Sequence, residues 1–175
     1  MLAAVASRRL SSGAPAEQAG VSVVRIQHHF GTGEALVRAA CAAMIDYAHA
    51  EYQELPDDPA ARLRHIMLHA IPDSPQKRFG ASVWHAYLAK SVDDSEIARL
   101  LADTKRGVED ECARLIEQAG QSIPGRRVTG ARIVARRLLA LADGLTVRVL
   151  VGDLSGAEAR ELLESELASR LAVPR

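Results

Sequence analysis

From Ile97 to Ala119 the chain steps by three and four through a mostly apolar series: Ile97, Leu100, Leu101, Thr104, Val108, Cys112, Leu115, Ile116 and Ala119. Only a helix of 3.6 residues per turn gathers such a series onto one face, and a stripe this long needs other helices to cover it. The remainder supplies them. Leu36, Ala40, Ala43, Met44 and Tyr47 mark a helix from about Thr32 to Leu55, with Thr32 as cap and Glu34 in the first turn. Pro56 and Pro59 punctuate the chain before Leu63, Ile66, Met67, Ala70 and Ile71 mark the next helix, which Pro72 stops. Ser74 and Pro75 open another as N-cap and first helical residue, running to about Lys90 through Phe79, Val83, Trp84 and Tyr87. Residues 129–151 are apolar almost all round, which calls for cover on more than one side, and Ser155 opens a last helix with Leu162, Leu163, Leu167 and Leu171 on one face. Strand alternation is almost absent, so the expected fold class is all-α.

The N-terminal stretch AEQAGVSVVRIQHHFGTGEAL carries a second, different signal. Ala16, Gly20 and Ile26 have helix-turn-helix spacing: a small residue where two helices cross, a glycine at the turn, and a branched residue that plugs the second helix onto the first. The expected helices are 13–19 and 23–29, behind a short stretch over 2–9. Such a unit makes the chain a candidate DNA reader. Ser22 stands at the N-cap, where its hydroxyl reaches a backbone N–H or a phosphate. Val23, Val24, Arg25, Gln27 and His28 are candidates for the groove-facing surface, with Ile26 and Phe30 inward. Arg25 suits guanine O6/N7, Gln27 suits adenine, and the two valines touch thymine methyls; His28 and His29 suit phosphates.

These residues resemble the signature of the TetR family of transcriptional regulators, in which an A-G-V-S turn leads into a short helix ending in an aromatic, His and Phe run. Ala19, Gly20, Val21, Ser22, Ile26, His28, His29, Phe30, Thr32, Glu34, Ala35 and Leu36 fit as they stand. Gly33 replaces the usual lysine, Gln27 the common tyrosine, Pro15 falls inside the second helix, and the first helix looks short. The run ALADGLTVRVLVGDLS followed by a leucine helix is similar to the choline-responsive type of C-terminal domain. The resemblance implies a homodimer whose last two helices pair with their mates in a four-helix bundle, with an effector pocket between the helix that starts near Thr32 and the helix over 129–151. The expected division is a DNA-binding domain over 1–45 and a ligand-binding and dimerisation domain over 46–175, joined through one continuous helix that passes an effector-induced tilt between them.

On this basis Ser22, Val23, Val24, Arg25, Gln27, His28, His29 and Thr32 are the expected DNA-binding residues. Leu63, Met67, Phe79, Trp84, His85, Tyr87, Leu88 and Arg137 are the expected effector pocket, the aromatic grouping standing out in a chain with only 3% aromatic residues. Leu139, Ala142, Leu145, Leu162, Leu163 and Leu167 are expected at the dimer interface, with the small Ala140, Ala142 and Gly144 allowing close helix approach. Arg137 and Asp143 need partners if buried.

Composition narrows the classes. The 22 basic residues equal the 22 acidic ones, which argues against a general polyanion binder; residues 1–40 hold four arginines against two glutamates, a weak electrostatic footprint for DNA. Cys41 and Cys112 lie at apolar helical positions and read as buried thiols in a reducing compartment. No run reaches membrane-spanning length, and the start lacks a signal-peptide pattern, so a cytoplasmic protein is expected. His65, His69 and His85 have no carboxylate or cysteine at ligand spacing, and no nucleophile–base pair or phosphate loop appears; no metal, no cofactor and no catalytic residues are expected. The expected function is a ligand-responsive repressor that binds a palindromic operator as a homodimer and is released by a small molecule. The alternative is a helical ligand-binding or interaction protein of the same fold with weak or lost DNA binding, favoured by the neutral charge, Gly33 and the short first helix.

Overall fold

The structure is a computed structural model that describes residues 32–51, 56–121 and 130–171. Among these residues there are six helices and no strand: α1 (Gly33–Glu51), α2 (Pro59–His69), α3 (Pro75–Lys90), α4 (Ser95–Gln121), α5 (Ala131–Leu150) and α6 (Gly156–Leu171). The all-α expectation holds. The reading segment over 13–30, with the short stretch over 2–9, lies outside the described residues.

Except for α5, which follows Gly130 and has no side-chain cap, the helices start where side chains satisfy their first N–H groups. Thr32 Oγ1 accepts from Ala35 N at 3.1 Å at the head of α1. Asp58 Oδ2 accepts from Ala61 N at 2.7 Å and sets Pro59 at the first turn of α2, so this proline opens a helix as well as closing the preceding chain. Ser74 Oγ accepts from Lys77 N at 3.3 Å before Pro75. Ser155 and Glu158 cap each other reciprocally at α6: Ser155 Oγ accepts from Glu158 N at 3.2 Å, and Glu158 Oε2 accepts from Ser155 N at 2.8 Å. Helix α5 ends on Gly152 at φ 81°, a left-handed conformation that lets Gly152 N donate to Val149 O and Asp153 N to Arg148 O.

The helices distribute over two compact units. Residues 32–51 and 83–102 form one. Its core is Cys41 and Ile45 from α1, Val83 and Tyr87 from α3, and Ile97 and Leu101 from α4, flanked by Val37, Met44, Trp84 and Leu100. The helical spacing within each of these groups is what places them on common faces. The other unit comprises the described residues of 52–82 and 103–175. Leu63, Met67 and Ile71 meet Cys112, Leu115, Leu138, Leu145, Val149 and Leu163 in its core, with α5 and α2 both packed on α6. The buried Thr146 hydroxyl lies 2.9 Å from Ala70 O and 2.8 Å from Ala142 O, tying α5 to the end of α2. Arg78 of α3 donates to Val149 O at 3.0 Å and to Leu150 O at 3.4 Å, neutralising the last carbonyls of α5. Both cysteines are buried and form no disulfide.

Candidate functional site

Of the expected DNA-binding residues only Thr32 falls among the described ones; it is exposed and its hydroxyl caps α1. Ser22, Val23, Val24, Arg25, Gln27, His28 and His29 lie outside them.

The eight expected pocket residues belong to both units. Trp84 and Tyr87 sit together in the first core with Cys41, Tyr87 almost wholly buried and Trp84 partly. His85 is half-buried on the same helix. Leu63 and Met67 are fully buried in the second core. Phe79 and Leu88 are exposed, and so is Arg137 on α5. Asp143 is exposed too and pairs with Lys105 across to α4.

The expected interface residues also divide. Ala142, Leu145, Leu163 and Leu167 are buried inside the second unit's own core, Leu139 is partly buried against it, and Leu162 is half-exposed. The opposite face of α5 is the open one. Ile133, Arg137, Ala140, Gly144, Val147 and Val151 follow one another at three- and four-residue intervals, all exposed, with Val151 73% and Ile133 58% accessible. The apolar all-round character of residues 129–151 is therefore half satisfied by the chain itself, and the sequence offered no way to tell which half.

A groove of about 310 Å³ in the second unit is lined by Pro56, Ala61, Arg64, His65, Leu68, His69, Lys77 and Arg160, and shares no residue with the expected pocket. Asp73 lies between Lys77 Nζ and Arg160 Nη1, each at 2.9 Å; Glu164 pairs with Arg64 and lies 4.0 Å from Arg160. The Lys77 hydrogen bond pulls the Asp73 carboxyl below its ordinary range, against partial burial and with help from Arg160. His65 and His69, four apart on α2, stack with ring centroids 6.3 Å apart. Among the described residues no three His, Cys, Asp or Glu side chains gather as a metal site would require.

Outside the groove, Asp94 at the start of α4 is a buried polar group, 5% exposed. Its Oδ1 accepts from Glu96 N at 3.1 Å and Ile97 N at 3.2 Å, and its two oxygens lie 3.2 and 3.0 Å from Arg38 Nε. Burial pushes this carboxyl up, but Arg38 and the two backbone N–H groups outweigh it and the net direction is down. Sequence reasoning missed Asp94.

Comparison with known proteins decides the family. Residues 59–172 match the model for the C-terminal domain of BetI-type transcriptional repressors. An HTH-type transcriptional regulator BetI from Stenotrophomonas maltophilia (strain R551-3) is 33% identical over 149 residues, covering 82% of this chain and 72% of that protein. This chain belongs to the TetR family of transcriptional regulators, in its BetI-type branch. Solved structures agree. A protein from Rhodococcus sp. described as a TetR-family transcriptional regulator superposes with a TM-score of 0.82 at 27% identity, over 98% of this chain and 94% of that one. A transcriptional regulator from Saccharomonospora viridis, solved in complex with choline, superposes with a TM-score of 0.81 at 25% identity, over 99% of this chain and 94% of that one. The family consists of regulators rather than enzymes. Among the described residues of this regulator, no helix is long and apolar enough to cross a membrane.

Proposed function

We propose that the regulator is a homodimeric repressor that binds a palindromic operator and leaves it when a small quaternary ammonium compound binds. The observation that carries this reading is the similarity, over nearly the whole chain, to a regulator solved with choline, joined to the BetI-type match of residues 59–172. DNA contact is assigned to Ser22, Val23, Val24, Arg25, Gln27, His28, His29 and Thr32. Of the pocket residues, Trp84 and Tyr87 have the chemistry for a quaternary ammonium, whose charge is attracted to the face of an aromatic ring. His85 and Leu88, on the same helix, stand beside them in the proposed site, while Arg137, an exposed cation, would repel such a ligand. The second copy is assigned to the open stripe of α5 and to the half-exposed Leu162 of α6. An effector needs only a few kcal/mol of differential affinity between two states to shift such a repressor off DNA.

Fluorescence anisotropy with a labelled fragment from upstream of the regulator's own coding region tests this. The expected result is a binding curve whose affinity falls steeply with salt, and dissociation on adding choline. No binding at low salt would favour the alternative, a helical ligand-binding protein with the same fold; binding that ignores choline would remove the effector assignment.

A further inference from the structure

An N-cap needs only one oxygen. Serine, threonine or asparagine serves as well as aspartate, and none of them needs to be a buried charge. Asp94 nevertheless is a buried carboxylate, and its second task is visible: it holds Arg38 of α1 at 3.0 and 3.2 Å from Nε, while Arg38 Nη1 lies 3.4 Å from Glu96 Oε2. Arg38 therefore fastens α1 to the first turn of α4 within one unit, beside the core formed by Cys41, Ile45, Ile97 and Leu101.

Two facts give this fastening a direction. Helix α1 begins at Gly33, directly after the segment assigned to DNA reading. Helix α4 runs unbroken from Ser95 to Gln121, placing Ile97 and Leu101 in one core and Cys112, Leu115 and Ile116 in the other. We infer that the Arg38–Asp94 pair is a positioning latch for the repressor: it makes α1, the helix that follows the reading segment in sequence, move with the start of α4, so that operator affinity and effector release both depend on it. The inference rests on the proposed function for its DNA half. Its mechanical half stands on the geometry alone. Asp94 and Arg38 touch neither DNA nor effector in this scheme; they act through α1.

The test uses the full-length protein with Asp94→Asn, Arg38→Met and the double variant. Asparagine keeps an oxygen for the N–H groups of Glu96 and Ile97, so the cap survives while the charge that grips Arg38 is gone. Methionine keeps the stem of Arg38 and removes its donors. Hydrogen exchange read by mass spectrometry is expected to show faster exchange over residues 34–48 in all three variants, with residues 131–150 unchanged. Operator affinity, measured where circular dichroism shows every variant folded, is expected to fall about tenfold in each single variant and no further in the double, within the range typical of coupled sites. Choline is expected to release the variants less effectively than wild type. Unchanged exchange over 34–48, or single effects that simply add, would overturn the latch. If wild type binds no operator, the proposed repressor function fails, and the exchange measurement still decides whether Asp94 fixes α1.

Discussion

Gly156 starts α6 directly against the backbone of Asp73: a β-carbon at this position would stand 2.8 Å from Asp73 Cα and 3.0 Å from its Cβ. The close approach explains a second contact one turn later, where Arg160 Nη1 reaches Asp73 Oδ2 at 2.9 Å. Gly156→Ala is therefore expected to push α6 away from the α2–α3 connection and to destabilise the protein by about 1–3 kcal/mol, the usual range for overpacking. Gly107→Ala is the control. A β-carbon there meets nothing within 4 Å in the middle of α4, and alanine should add about 0.5–1 kcal/mol through helix propensity. Urea midpoints of the two variants are expected to move in opposite directions; a matching rise for Gly156→Ala would refute the close approach.

Glu109 of α4 is mostly covered and lies between two arginines of α5, with Arg136 at 2.8 Å and Arg132 at 3.5 Å. The Arg136 hydrogen bond holds its carboxyl below the ordinary value of 4.5, against the desolvation that opposes it, and the charges of both arginines add to the effect. A lowered folded-state pKa stabilises the folded form above the unfolded value, and that contribution disappears as pH falls through the folded value. Stability of wild type is thus expected to drop between about pH 5 and pH 3. Glu109→Gln should start lower at pH 7 and lose less over that window. Parallel pH profiles for the two proteins in urea unfolding would show that the pair contributes nothing.

Much of this fold is legible in the sequence because helix periodicity is a local property. Ile97 to Ala119 announce α4, and Ser74–Pro75 and Ser155 announce two helix starts, since each depends on neighbours within a turn. The sites depend on pairings across the chain, and these the pattern does not carry. Arg38 and Asp94 are 56 residues apart and acquire meaning only when α1 lies beside the start of α4. The leucine faces of α5 and α6 were visible, but apolar character alone does not say that Leu145, Leu163 and Leu167 are used inside the unit while Val147 and Val151 are left outside.

Cys41 and Cys112 are both inaccessible, and burial, reinforced at Cys112 by neighbouring Glu111, pushes the Cys112 thiol up to about 12. Cys41 moves in the same direction for the same first cause, with Asp94 adding to it. The thiolate is the reactive species, so at pH 8 neither residue should react with a disulfide reagent such as DTNB in the folded protein. Two equivalents are expected to appear only on unfolding, at the rate at which secondary structure is lost. Fast labelling of one cysteine in native protein would mean that its core opens locally.

Gly144 stands at the centre of the open stripe of α5, where an added β-carbon meets nothing within 4 Å in the single chain. A large residue there leaves the subunit's own core untouched, yet in the proposed homodimer it would hold apart two helices that approach face to face across a two-fold axis. Gly144→Arg is expected to raise the dimer dissociation constant by about thirtyfold or more, equivalent to ~2 kcal/mol. Helix content should stay at the wild-type level. Val147→Glu, a residue that is 43% accessible on the same stripe, should act in the same way by placing a charge in the proposed interface. Sedimentation velocity across a concentration series reads both. A wild type that sediments as a monomer at all concentrations, or variants that dimerise as well as wild type, would move the second copy to another face. Operator affinity supplies a further check, since a repressor that reads two half-sites loses most of its affinity when its subunits separate.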